Sequence, residues 1–220
     1  MRINEFNEAA RPENESVFTD EQMKQVAETI MVACGPWLDE VGLPVAMFRG
    51  IDAWVSSSKN AFITKRVRLT DRQTLAMPTH LHKAANEYFT QEFGEPFRNS
   101  AMSTGDPNEA AGFGEPFIVF PIGKYSYCWS PKVDDLNFVI NEDMEQPNRL
   151  QLFPRGGTSA EEQNDLKINI LPKLKYQNNN LARALDSGNE IMLRCERYYA
   201  LSYRQVQRFG LDEFNGLFDL

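Results

Sequence analysis

Histidine and cysteine are scarce in this chain, at two and three residues in 220. That scarcity excludes most metal chemistry: His80-x-His82 is the one pair near ligand spacing, and no metal site is expected. Cys34, Cys128 and Cys195 are odd in number, and each sits among apolar neighbours. They read as buried reduced thiols, not as a disulfide framework. Positive charge is also short. Lys and Arg total 23 against 31 Asp and Glu, a formal net charge of −8. A non-specific nucleic-acid binder needs a basic footprint, which this balance excludes, while a local basic pocket stays open. Long hydrophobic runs are missing as well. No segment approaches membrane-spanning length, and Met1-Arg2-Ile3-Asn4-Glu5 does not read as a signal peptide, so no membrane partner is expected. No internal repeat is visible.

What the chain does have is core-forming material. A hydrophobic content of 42 %, with 11 % aromatics, supports one good-sized domain. Residues 1–18 are polar and acidic and read as an N-terminal arm. Thr19-Asp20-Glu21-Gln22 is a capping box, and Met23, Val26, Ala27, Ile30 and Cys34 follow at helical spacing until Gly35-Pro36, which is expected to break the helix. Gly42-Leu43-Pro44 delivers the chain into a strand over 45–50. Residues 56–60 read as a loop, and the basic stretch 65–72 as a solvated face. A helix is predicted over 79–93, with Gly94 as its cap. A short strand over 101–104 leads to Asp106 as N-cap and Pro107 as first helical residue. The apolar run 117–122 and the alternating Tyr125, Tyr127 and Trp129 are strands, with Gly123-Lys124 a candidate tight turn between them. Residues 141–165 read as a long surface loop. A short helix around Leu181, Ala184 and Leu185 stops at Gly188. A strand over 190–195 follows, and residues 198–201 pair back as a hairpin. Single-domain character is assigned to 19–202, with a Phe-rich tail over 203–220 that must dock on the body or on a partner. Short helices first and strands later give an α+β class.

Three short runs carry polar groups that a plain core strand would not need. They are Met47-Phe48-Arg49-Gly50, Ala101-Met102-Ser103-Thr104-Gly105 and Asn189-Glu190-Ile191-Met192-Leu193. Taken singly, each has an ordinary explanation: an edge arginine in an ion pair, a helix cap, a solvent-facing glutamate. Taken in order, the set resembles the Arg, Ser-Thr and Glu triad of the ADP-ribosyltransferase superfamily, and the resemblance extends over residues 45–201. It is nearest to a group of phage-encoded members, which share phrases like Phe120-Pro121-Ile122-Gly123, Trp129-Ser130-Pro131 and Asp135-Leu136.

The resemblance implies a split β-sheet core with N-terminal helices, and NAD as substrate with no metal. In that chemistry the bond between nicotinamide and ribose breaks through an oxocarbenium-like transition state, so positioning and electrostatics dominate. Arg49 would hold the diphosphate side bidentately, which lysine cannot do. Ser103 would sit under the nicotinamide ribose, and Glu190 would take the 2′-OH and favour the developing positive charge. Gly50, Thr104 and Phe113 complete the implied cofactor-binding set. Phe113 and Phe117 each offer a ring either for stacking on nicotinamide or for core packing. His82 reads as a histidine satisfied by Asn86 one turn on. Two departures stand out. Arginine-specific members carry a second Glu where this chain has Gly188, which argues against an arginine acceptor, and the third Ser-Thr-Ser position is Gly105. The implied partner is a host protein or nucleic-acid acceptor, with other virion proteins if the chain is packaged, in the phage virion or the host cytoplasm. The alternative is a virion structural or interaction protein that uses the same fold without catalysis.

Overall fold

Two antiparallel sheets meet along one seam, and the register at that seam decides where the polar side chains go. The computed structural model describes residues 18–42, 46–52, 61–70, 72, 77–145 and 158–218, with 141–145 described as backbone only. Among these residues lie seven strands and eight α-helices, in agreement with the α+β expectation. The larger sheet contains β1 (Phe48–Ile51), β2 (Phe62–Arg66), β4 (Glu115–Pro121) and β7 (Arg197–Ser202) in the order β1-β4-β7-β2. The smaller contains β3 (Ala101–Ser103), β5 (Tyr125–Trp129) and β6 (Ile191–Cys195) in the order β3-β6-β5. Phe48 and Thr104 exchange both backbone hydrogen bonds, at 2.7 and 2.9 Å, and so join β1 to the end of β3.

The helices cover the outer faces. The first, α1 (Asp20–Val41), starts at the expected capping box, with Thr19 accepting from the Gln22 amide and the Gln22 side chain accepting from the Thr19 amide. The predicted break is a kink instead: backbone angles leave the helical range at Cys34, then the helix resumes and buries Trp37. Next comes α2 (Thr79–Phe93), ended by Gly94 in the left-handed region as predicted, and a 3-10 turn, Phe97–Asn99, leads into β3. After β3 lies α3 (Pro107–Ala111), capped by Asp106. The long connection between β5 and β6 holds α4 (Leu136–Glu145), α5 (Ser159–Asp165) and α6 (Leu181–Ser187). The predicted loop over 141–165 is therefore helical at both ends, while 146–157 lie outside the described residues. So do residues 56–60 and most of the arm. The tail docks as expected, through α7 (Tyr203–Phe209) and α8 (Leu211–Gly216), with Val206 and Phe214 buried.

Alternate residues of β6 feed two cores. Ile191, Leu193 and Cys195 pack with Val119, Phe117, Ile30 and Trp37. Met192 points the other way, with Cys128, into a core made by Phe89, Leu136 and Leu166. A strand buried on both faces reads as a continuous apolar run, which is what Ile191-Met192-Leu193 is. All three cysteines are buried and free, and burial pushes the Cys34 and Cys195 thiols up to about 12.

Two strand pairings differ from expectation. Gly123 does take a turn conformation, at φ 70°, but β4 and β5 do not pair across it, because the chain leaves one sheet for the other. Likewise β7 does not fold back on β6. It pairs with β2 and β4 in the larger sheet. A two-residue link between apolar runs serves a hairpin and a change of sheet equally well. The basic stretch also hides β2, an edge strand whose exposed Thr64 and Arg66 give it the look of a solvated loop.

Candidate functional site

The seam brings the three motif residues to one place. Phe48 bridges Thr104, so Arg49 and Ser103 each stand one residue from the bridge. Ser103 pairs with Ile191 across β3 and β6, and Glu190 is the residue before it. Arg49, Ser103 and Glu190 consequently line one cavity of about 570 Å³, together with Gly50, Thr104 and Phe113. Every residue of the implied set faces it.

Arg49 is held from the side. Its Nη1 donates to the Met102 carbonyl at 2.6 Å. Backbone groups alternate along a strand, so the carbonyls of residues 100, 102 and 104 lie on the edge of β3 turned away from β6. Arg72 takes the Ser100 carbonyl through its own Nη1, Arg49 takes Met102, and β1 takes Thr104. Two guanidinium groups thus stand side by side on one strand edge. Arg72 was hidden in the basic stretch that reads as a solvated face. Burial, with Arg49 and Arg98 nearby, brings its ionisation down to about 10.

Glu190 forms the floor. It is 8 % exposed, and its amide donates to the Asp134 carbonyl at 2.9 Å. Its Oε1 accepts from Arg98 Nη1 at 2.6 Å, and Arg98 is itself only 2 % exposed. Burial raises the Glu190 carboxyl above the usual range; Arg98 opposes this and Asp135 adds to it. Arg98 Nη2 donates to Asn137 Oδ1 at 3.0 Å. Ser103 lines the cavity, and its hydroxyl is buried with no hydrogen-bond partner among the described residues, leaving a donor and an acceptor unused there. Thr104 is committed elsewhere: its hydroxyl donates to the Gly188 carbonyl and accepts from the Asp106 amide.

Close backbone packing shapes the walls. A Cβ on Gly50 would overlap the Ala110 carbonyl and lie 2.7 Å from the Phe113 carbonyl carbon, so only glycine lets α3 and its following turn lie against β1. Gly105 is under the same constraint: a Cβ there would run into the Leu185 carbonyl at the end of α6. The approach of α6 thereby accounts for glycine at 105.

At the mouth stand Phe113, 70 % exposed, and Phe138, 64 % exposed. Phe113 is not a core residue. Phe117, the other ring considered from sequence, is wholly buried. Asp134, Asp135 and Asn137 also line the cavity. Arg98, Asn137 and Phe138 carry no signal by spacing, and only Asp135-Leu136 lies in a phrase noted in the sequence. His82 lies outside this cavity, bonded through Nε2 to Asn99 Oδ1 at 3.0 Å, with Asn86 in the same network. Among the described residues no group of three or more His, Cys, Asp or Glu is placed to hold a metal ion, and no helix is long and apolar enough to cross a membrane.

Chemically, the cavity joins two carbonyl-anchored guanidiniums, a hydroxyl unpartnered among the described residues, and a buried carboxylate paired with the third guanidinium, Arg98. No protein-family model, curated protein or solved structure matches the chain.

Proposed function

We propose that the cavity binds NAD and that the chain is a phage-type ADP-ribosyltransferase, its two sheets forming the split core of that superfamily. The observation that carries this reading is the convergence of Arg49, Ser103 and Glu190, 141 residues apart at the extremes by their numbering, on one cavity in the family's chain order. Each group suits its task. Arg49 and Arg72 present guanidinium N–H groups to a diphosphate, where bidentate recognition adds geometry to charge. The Ser103 hydroxyl, unpaired among the described residues, suits a sugar or amide oxygen. The Glu190 carboxylate accepts from the ribose 2′-OH and stabilises positive charge as it develops at C1′. The C1′–N bond breaks with its electron pair leaving on nicotinamide. A nucleophile of the acceptor then bonds to C1′ and loses its proton. Exposed Phe113 offers its face to a flat ring at the mouth. The acceptor is a host protein or nucleic acid, met in the host cytoplasm and reached from the virion if the chain is packaged.

A second reading has its own support. The Glu190 carboxylate is already bonded to Arg98, as it would be in a virion structural or interaction protein with a vestigial triad. One experiment separates the two. The purified chain is incubated with NAD labelled in the adenylate half, with and without host lysate, and nicotinamide release and label transfer are followed. Release of nicotinamide, with label in a protein or nucleic-acid fraction, is expected. Absence of both NAD binding and NAD consumption overturns the transferase reading and leaves the structural one.

A further inference from the structure

Arg98 is out of keeping with its surroundings. It belongs to no strand, lies in the 3-10 turn before β3, and is among the largest fully buried side chains of the protein. Its placement is built from several directions. The Arg98 amide donates to Asn86 Oδ1 at 2.9 Å, and the Asn99 side chain ties the same turn to the Leu69 carbonyl and to His82. Nη1 lies between the sulfurs of Met102 and Met192, at 3.6 and 3.7 Å, and reaches Glu190 at 2.6 Å. Nη2 is turned to Asn137. Nε has no partner among the described residues. A buried ion pair stabilises a fold no better than apolar side chains of the same volume, so stability alone does not explain this one. Its carboxylate opens on the cavity.

We infer that Arg98, which itself reaches the cavity lining, is the positioning residue for Glu190, fixing the carboxylate at the cavity floor and supplying its counter-charge. The inference rests on the transferase reading above. The charged and titratable groups that bear on Glu190 are Arg98 from the turn before β3, Asp135 from the start of α4, Arg72, Tyr176 and Cys128. Arg98 alone among them bonds to the carboxylate in the described residues. Taking it away leaves burial and Asp135, both of which favour the protonated acid, opposed by the smaller pull of Arg72. A protonated Glu190 has lost the charge that the reaction needs.

The test compares the parent, Arg98→Lys, Arg98→Met and Asn137→Ala. For each, kcat and KM for NAD are measured as nicotinamide release from pH 5 to 9, with folding checked by circular dichroism. Arg98→Met is expected to lower kcat at neutral pH on the order of a hundredfold, to change KM little, and to move the acid limb of the profile up by about one pH unit or more. Arg98→Lys restores most of kcat and returns the limb toward the parent, because it returns the charge without the fork. Asn137→Ala, which frees only Nη2, shifts the limb the same way by less, and it carries the test if Arg98→Met does not fold. An acid limb that stays in place in folded Arg98→Met or Asn137→Ala overturns the inference, as does a folded Arg98→Lys no better than Arg98→Met. If the parent itself releases no nicotinamide, the transferase reading fails first and the inference falls with it.

Discussion

The Arg98–Glu190 pair makes a prediction that holds whatever the cavity binds. Both side chains are buried, at 2 % and 8 % exposure, and their charged atoms are 2.6 Å apart. Removing one partner strands the other charge away from water, which typically costs about 3–5 kcal/mol. Arg98→Met leaves the carboxylate, and Glu190→Gln leaves the guanidinium. For a domain of this size roughly 2–4 °C of melting temperature goes with each kcal/mol, so each single variant should lose on the order of 6–20 °C. The double variant strands no charge and should lie within about 2 kcal/mol of the parent. Urea melts of all four proteins then give a coupling of at least about 4 kcal/mol. The pH dependence has a sign. In Arg98→Met the Glu190 carboxyl, already raised by burial, has a folded value above its unfolded one. Its contribution to stability is therefore full below the unfolded value and lost as pH rises through the folded one. The deficit of Arg98→Met should shrink on acidification. Costs that add to within about 0.5 kcal/mol in the cycle would refute the idea that these two groups depend on each other.

Glu190→Gln should keep NAD affinity within a few-fold and lower turnover roughly a hundred- to a thousand-fold, because the lost charge matters mainly in the transition state; near-parental turnover in a kinetic assay would remove Glu190 from the chemistry. Arg49→Lys should instead weaken NAD binding, measured by calorimetry, since it keeps the charge and loses the fork. Gly105→Ser should destabilise by about 1–3 kcal/mol or more through overlap with the Leu185 carbonyl; a thermal melt equal to the parent's would show that α6 yields easily. His82 is held below its ordinary value of 6.5, first by burial and then by Arg98 and Arg72, against the hydrogen bond that it donates to Asn99 Oδ1. The unfolded chain takes up that proton first, so the stability His82 contributes is full above about 6.5 and declines as pH falls. Melting temperatures from pH 7 to 5 should fall less steeply in His82→Gln than in the parent.

Local grammar was easy to read in the sequence, and long-range geometry was not. Thr19 and Gln22, Asp106 and Pro107, and Gly94 and Gly188 set helix ends by bonds to their own neighbours, so the residues alone announce them. The motif strands were legible because each polar residue interrupts an apolar run. Sheet membership was not, since Gly123 turns the chain in the same way whether β5 pairs with β4 or leaves it. Arg72 and Arg98 were missed for opposite reasons. One sits with three other Lys and Arg residues in 65–72 and looks solvated, and the other stands alone before a strand with no partner in sequence; its carboxylate lies 92 positions away. Phe138 and Asn137 were invisible because helical spacing marks the buried face of α4 and not the face that meets a cavity.

The capped edge of β3 has a consequence beyond any ligand. A strand with open carbonyls is a template on which another chain can add a strand of its own. Here the row from Ser100 to Thr104 is closed by Arg72, Arg49 and the β1 backbone. Two charged side chains stand where a foreign strand would have to dock, and they present like charges to a second copy of the same chain. The arginines thus occupy the edge that a second chain would need, and a protein with both replaced by methionine is expected to be more prone to self-association.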